Sequence, residues 1–348
     1  MNIQEIISKI IPANKEVAAQ AQKKLDSLTK PPGSLGRLEE CAIKYVAARG
    51  FIDAELKNPA VLTFAGDHGV AAEGVSAFPQ EVTAQMVANF ANGGAAINVL
   101  ANFEGASLKV IDVGVVADCK FPGVIQRKVA KGTANFIHGP AMTLEQTKKA
   151  LMAGIDEASK AISEGATIIA TGDMGIANTT PSTALYAALL NLKPADITGR
   201  GTGIDDARLK HKTEIIEKAI EINRNQLTDT LGALAALGGF EIAAICGAIL
   251  CAASNKIPVI VDGFISGSAA VMAIKLNKNT ADYCFFSHLS ADAGHNRVME
   301  ELHMKPLLDL DLRLGEGTGA VLALHLIKAG LAVMRGMATF EEAAVTKT

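Results

Sequence analysis

Short apolar runs that close in glycine or aspartate recur along the chain. They lie at 59–65, followed by Gly66-Asp67-His68-Gly69, at 108–113 before Gly114, at 167–171 before Gly172-Asp173, and at 258–261 before Asp262-Gly263. Runs of this length, β-branched and apolar at consecutive positions, are strands buried on both faces. With helical stretches between them they predict an α/β protein built on a parallel sheet. Ligands on such sheets bind beyond the carboxyl ends of the strands, where these Gly and Asp residues gather. Residues 3–28 carry apolar positions at helical spacing and predict a first helix. The prolines and glycines of Lys30-Pro31-Pro32-Gly33-Ser34-Leu35-Gly36 stop it, and a helix restarts over 35–49. This amino-terminal piece is expected to pack apart from the sheet. Pro79 opens another helix, with Gln85 and Met86 in its first two turns. The remainder after Ile327 is predicted helical and closes against the amino-terminal helices.

Composition narrows the class. A hydrophobic fraction of 49% in 348 residues supports a large core, with few aromatics and no tryptophan. The most apolar window, 231–254, is interrupted by Glu241 and glycines and reads as a buried helix, not a membrane span. A net charge of −3 with no basic cluster lacks the electrostatic footprint of a nucleic-acid binder. The five cysteines have no paired spacing and are expected to be buried reduced thiols. No signal-peptide pattern opens the chain, so a cytoplasmic location is expected.

The candidate chemistry centres on Gly315-Glu316-Gly317-Thr318-Gly319, which leads into an apolar helical run at 321–327. Glycines bring the backbone close to a ligand, and the helix adds its positive end, so the loop suits phosphate. A carboxylate there repels an anion and needs a reason. One reading makes Glu316 the base that takes a proton from a nucleophile attacking the sugar of a bound phosphoribosyl group; the other makes it an exposed helix cap. The loop Gly172-Asp173-Met174-Gly175-Ile176-Ala177-Asn178-Thr179 again suits an anion at a helix start. Gly199-Arg200-Gly201-Thr202-Gly203 repeats the theme and runs into a charged helix with Lys210 and Lys212, where Asp205 and Asp206 are helix-start residues. In the segment from Ser76 to Met86, Phe78, Gln85 and Met86 form either an aromatic-binding slot or ordinary core. Asp67-His68 and the pair His288 and His295 are the best metal candidates. No zinc, Walker or nucleophile-elbow motif occurs, and neither a metal nor a cofactor is expected.

Taken in order, Lys30–Gly36, Ala65–Val70, Ser76–Met86, Gly172–Gly175, Gly199–Gly203, Ser287-His288 and Gly315–Gly319 make the chain resemble the nicotinate-nucleotide–dimethylbenzimidazole phosphoribosyltransferase family over nearly its whole length. The resemblance implies a Rossmann-like sheet domain at 51–327, a small helical domain from 1–50 plus 328–348, and a homodimer. It implies nicotinate mononucleotide and dimethylbenzimidazole as substrates, with Glu316 as catalytic base. The phosphoribosyl group would lie against Met174, Gly175, Ile176, Ala177, Asn178 and Thr179, against Gly201, Thr202 and Gly203, against Lys212, and against Gly315, Gly317, Thr318 and Gly319. Ser76, Phe78, Gln85 and Met86 would lie at the benzimidazole. Members often carry Glu where this chain has Asp173, Gly where it has Ala177, and Tyr where it has Phe78. Asp173 is then expected to steady positive charge on the ribose. Competing readings are another acceptor such as adenine or a phenol, and a non-catalytic nucleotide-binding subunit.

Overall fold

The computed structural model describes residues 2–201 and 203–346. Six strands form a wholly parallel sheet: β1 (Ala60–Gly66), β2 (Ser107–Gly114), β3 (Val124–Gln126), β4 (Ile169–Met174), β5 (Val259–Val261) and β6 (Cys284–Phe286), in the order β3-β2-β1-β4-β5-β6. This is the doubly wound order, and the direction of winding reverses between β1 and β4. Asp67-His68 follows β1 and Asp173-Met174 ends β4, so the residues flanking the switch point are those that the sequence pattern marks.

Side chains along β1 alternate between two apolar cores. Ala60, Leu62 and Phe64 face a core shared with the helices Leu144–Ser163 and Phe240–Ser254. Val61 and Ala65 face a core shared with the helices Arg37–Arg49 and Thr318–Gly336. Burial on both faces explains why these strands read as continuous apolar runs. The chain ends meet where Leu28 and Thr339 form an antiparallel bridge. Among the described residues one helix, Thr318–Gly336, is long and apolar enough to cross a membrane. Here it serves as a core helix, its buried side reaching from Ala320 to Met334 against the sheet and the helix Arg37–Arg49.

Several expectations are corrected. The predicted first helix is two, Ile3–Ser8 and Lys15–Ser27, because Pro12 interrupts it and Asn14 caps the second by accepting the Glu16 and Val17 N–H groups. The window 231–254 is also two helices, Thr230–Leu237 and Phe240–Ser254, parted at Gly238-Gly239. The amino-terminal helices do not pack apart from the sheet: Ile6 and Ile10 join the core on one face, and Leu25 and Tyr45 the other. The five cysteines are buried and free, as expected, and burial raises the pKa of each thiol.

Candidate functional site

A cavity of about 450 Å³ opens at the carboxyl ends of β4 and β5. Its wall gathers many of the residues selected from sequence: Ser76 and Phe78, the run of Asp173, Met174, Gly175, Ile176, Ala177, Asn178 and Thr179, then Gly201 and Gly315. The run from Asp173 to Thr179 bends from the end of β4 into the helix Thr179–Leu190, and Ala177 takes a left-handed φ of 73° to make the turn. A backbone position of that kind favours glycine, which gives a physical reason for the glycine often found there in the family the chain resembles.

Glu316 sits one residue beyond the wall, 3% exposed and at a left-handed φ of 65°. Three contacts hold that unusual conformation. Its N–H donates to the Asp173 carbonyl at 3.2 Å, its own carbonyl accepts the Thr63 hydroxyl at 2.8 Å, and Oε2 accepts the Ile97 N–H at 3.3 Å. The loop presses on β4 so closely that a Cβ at Gly172 would stand 2.2 Å from the Glu316 carbonyl oxygen. Burial pushes the Glu316 carboxyl up to about 7, against the Ile97 N–H and with the help of the Asp262 charge.

The glycine loop does not present all its amides to a ligand. Asp262, just past β5, accepts the Gly317 N–H at 3.1 Å and the Ala320 N–H at 2.9 Å, so a carboxylate of the protein itself occupies the start of the helix Thr318–Gly336. Gly317, Thr318 and Gly319 accordingly do not line the cavity. At one end of the site, Lys212 does not itself line the cavity but lies just behind its wall residues Thr179 and Gly201; it is 1% exposed and donates to the Thr179 hydroxyl at 2.7 Å and the Gly199 carbonyl at 3.1 Å. Burial pushes its amine down to about 8, partly offset by Asp292. Asp292 also accepts the Gly201 N–H at 3.2 Å, which fixes the turn over Lys212.

The other end of the site is strongly acidic. Asp173 accepts the Asn178 side-chain N–H at 3.0 Å, while its Oδ1 has no hydrogen-bond partner among the described residues. Burial raises its carboxyl well above the usual range, reinforced by Asp262, Glu241 and Glu316. Beneath the site Glu241 pairs with His68 at 2.7 Å, both fully buried. Burial works to lower the His68 pKa, and Glu241, by charge and hydrogen bond, carries it upward. A set of carboxylates beside one buried ammonium suits a ligand with an anionic tail and a cationic head.

Of the remaining sequence candidates, Gly203 forms the turn beyond Gly201 away from the wall, and Thr202 lies outside the described residues. Gln85 is exposed and Met86 half-buried against the second core, and neither lines the cavity. Asp205 caps the helix Asp206–Ile222 by accepting the Arg208 N–H at 2.8 Å, as expected. His295 is a buried neutral ring, its Nδ1 accepting the Ser290 N–H, and burial lowers its pKa to about 3. Among the described residues no three His, Cys, Asp or Glu side chains gather as a metal cluster. Sequence reasoning misses Asp262 and Asp292 as organisers of the site. The Asp that closes the fourth apolar run is the available signal for the first; nothing local marks the second.

Comparison with known proteins identifies the family and agrees with the fold. Residues 10–345 match the phosphoribosyltransferase family DBI_PRT. A Chlorobaculum tepidum protein named nicotinate-nucleotide–dimethylbenzimidazole phosphoribosyltransferase is 56% identical over 344 residues, covering 99% of this chain and 98% of that one. A protein of the same name from Geobacter sulfurreducens is 52% identical over 344 residues with the same coverage. The crystal structure of CobT from Thermus thermophilus superposes with a TM-score of 0.91 at 47% identity, covering 96% of this chain and 100% of that chain.

Proposed function

We propose how this site works from one premise: the chain belongs to the nicotinate-nucleotide–dimethylbenzimidazole phosphoribosyltransferase family. It is a pentosyltransferase that moves the phosphoribosyl group of nicotinate mononucleotide to 5,6-dimethylbenzimidazole. The products are α-ribazole 5′-phosphate and nicotinate, in assembly of the cobalamin nucleotide loop. The leaving nitrogen is already a pyridinium and departs as a neutral ring nitrogen, so its departure requires no general acid. The nucleophile has the opposite need. Benzimidazole attacks through its lone-pair nitrogen and becomes cationic unless its N–H proton is removed.

Glu316 is the base in this reading. The observation that carries it is a carboxyl held at 3% exposure, with a pKa of about 7, on the loop that closes the cavity. A base poised there accepts the benzimidazole proton at neutral pH, a contribution of roughly 10²–10⁴-fold in rate. Asp173 faces the cationic pyridinium and the positive charge that spreads over the ribose as the bond breaks; that cation favours its ionised form. Thr179, Gly201 and the buried Lys212 form the phosphate end, joined by Met174, Gly175, Ile176, Ala177, Asn178 and Gly315 along the nucleotide. Phe78, half-exposed at the cavity mouth, and Ser76 take the benzimidazole. Attack from the face opposite the leaving group inverts the β-nucleotide to an α-riboside. The protein is a cytoplasmic homodimer in this reading; the exposed apolar side chains Val99 and Phe103 on one helix favour a covering partner. In this reading the segments 1–50 and 328–348 make the smaller helical unit, joined by the Leu28–Thr339 bridge and seated on the sheet's two cores, not apart from them.

Incubation with nicotinate mononucleotide and dimethylbenzimidazole, followed by identification of both products, tests the reading. Nicotinate release with α-ribazole phosphate supports it. Failure with this acceptor but turnover with adenine or a phenol would reassign the acceptor.

A further inference from the structure

His288 lines the cavity, yet phosphoribosyl transfer as described gives it no task. Its ring is 2% exposed and fixed by its surroundings. A Cβ at Gly319 would stand 2.0 Å from Nδ1, which no side chain there could do without moving the ring, and one at Gly263 would stand 3.1 Å from Nε2, a tight contact, so the imidazole is closely packed on both sides. The neighbouring Ser287 hydroxyl lies 2.7 Å from the Asp262 carbonyl oxygen and 2.9 Å from His288 Nδ1. A carbonyl accepts and cannot donate, so the single hydroxyl proton points to Asp262. The serine oxygen is therefore an acceptor toward the ring, and Nδ1 carries the proton. In that tautomer Nε2 carries a bare lone pair toward the cavity, and it has no hydrogen-bond partner among the described residues.

We propose that His288 Nε2 is a substrate-binding acceptor for a ribose hydroxyl of the nucleotide. The inference rests on the phosphoribosyl-transfer reading and deepens it. The inventory of donors decides the ligand group. In nicotinate mononucleotide the phosphate and carboxylate only accept, the pyridinium nitrogen bears no hydrogen, and the two ribose hydroxyls alone donate. The other donor in the reaction, the benzimidazole N–H, goes to Glu316. An acceptor locked in one tautomer on the cavity wall, together with a phosphate held near Lys212, holds the sugar so that its reacting carbon faces the incoming ring. Asp262 links the two functions: one residue fastens the loop that carries Glu316 and, through Ser287, sets the proton on His288.

The test pairs a variant with substrate analogues, on the full chain. Wild-type protein and His288→Ala are assayed for nicotinate release from nicotinate mononucleotide and from its 2′-deoxy and 3′-deoxy forms. His288→Ala is expected to lose about 10- to 100-fold in kcat/KM on the parent nucleotide. Wild type should show a loss of similar size on one deoxy analogue, and His288→Ala should lose little more on that analogue. Independent losses that multiply, or a variant that discriminates the analogues as wild type does, would overturn the proposal. Nitrogen-15 NMR of the wild-type histidines gives a second readout that needs no variant. Nδ1 protonated and Nε2 bare, with the Nε2 resonance moved by nicotinate mononucleotide, supports the assignment; the opposite tautomer or an unmoved resonance refutes it. Absence of nicotinate release by wild-type protein would sink the functional reading instead, and the NMR result would still judge His288.

Discussion

The Ile97 N–H donates to the Glu316 carboxylate at 3.3 Å. Ile97 lies in the first turn of the helix Ala96–Phe103, which packs beside the helix Thr318–Gly336 in the same core, so the start of one helix steadies a side chain delivered at the start of its neighbour. One N–H holds the carboxylate in place without satisfying it. Burial therefore dominates, and the group keeps a pKa of about 7 instead of the usual value near 4.5. A carboxylate given two or three such donors would be a weaker base.

Glu316→Gln should keep the fold and lose roughly 10²–10⁴-fold in turnover. It should also change stability in a pH-dependent way. The folded pKa is raised, so between 4.5 and about 7 the folded state holds a proton that the unfolded chain has lost. Stability of the wild type thus falls as pH rises through that window. Thermal melts should show the Gln variant gaining on wild type from pH 5 to pH 8. A gap that does not change with pH would show that the carboxyl is not perturbed.

The pH profile of kcat/KM for nicotinate mononucleotide should be bell-shaped. Glu316 must be ionised to accept a proton, so activity climbs as pH rises to about 7. Lys212 must be charged to hold phosphate, so activity declines above about 8. The substrate phosphate itself titrates near about 6, below both limbs. Glu316→Gln should flatten the acid limb of its residual activity and leave the alkaline one. A profile whose acid limb survives in that variant would place the base elsewhere.

The sheet was legible where physics repeats itself. Strands β1, β4 and β5 are buried on both faces, as is the second half of β2, and each announces itself as an apolar run closed by Gly or Asp. Strands β3 and β6 are three residues long, Val124–Gln126 and Cys284–Phe286, too short to impose a pattern. The site was legible in the same degree. Local loops such as Asp173–Thr179 mark themselves by composition. Asp262 is marked as the end of an apolar run, but its partners are not, because the amides it binds stand 55 and 58 residues away, and His68 meets Glu241 across 173 residues. From sequence the glycine loop therefore reads as an open anion cradle, when its helix start is already filled by a carboxylate of the chain.

Lys212→Met should leave the fold intact, since a buried ammonium gives way to an apolar chain of similar length, and should weaken nucleotide binding. The expected result is a KM for nicotinate mononucleotide raised by about tenfold or more, with a smaller change in kcat. Steady-state kinetics with the acceptor saturating separates the two. An unchanged KM would remove Lys212 from the phosphate end.

Asp262→Ala is the strongest test of how the loop is built. The variant leaves the Gly317 and Ala320 N–H groups buried without an acceptor, and each orphaned donor costs about 1–3 kcal/mol. It also removes a negative charge from beside Glu316 and Asp173, which lowers both pKa values. Melting should therefore come well below wild type, while the acid limb of the activity that remains should move to lower pH. Asp262→Asn separates the two effects: its amide oxygen still accepts an N–H, so stability is partly restored, while the charge stays absent and the acid limb stays shifted. A stable Asp262→Ala protein with an unmoved profile would show that this carboxylate neither fastens the loop nor tunes the base.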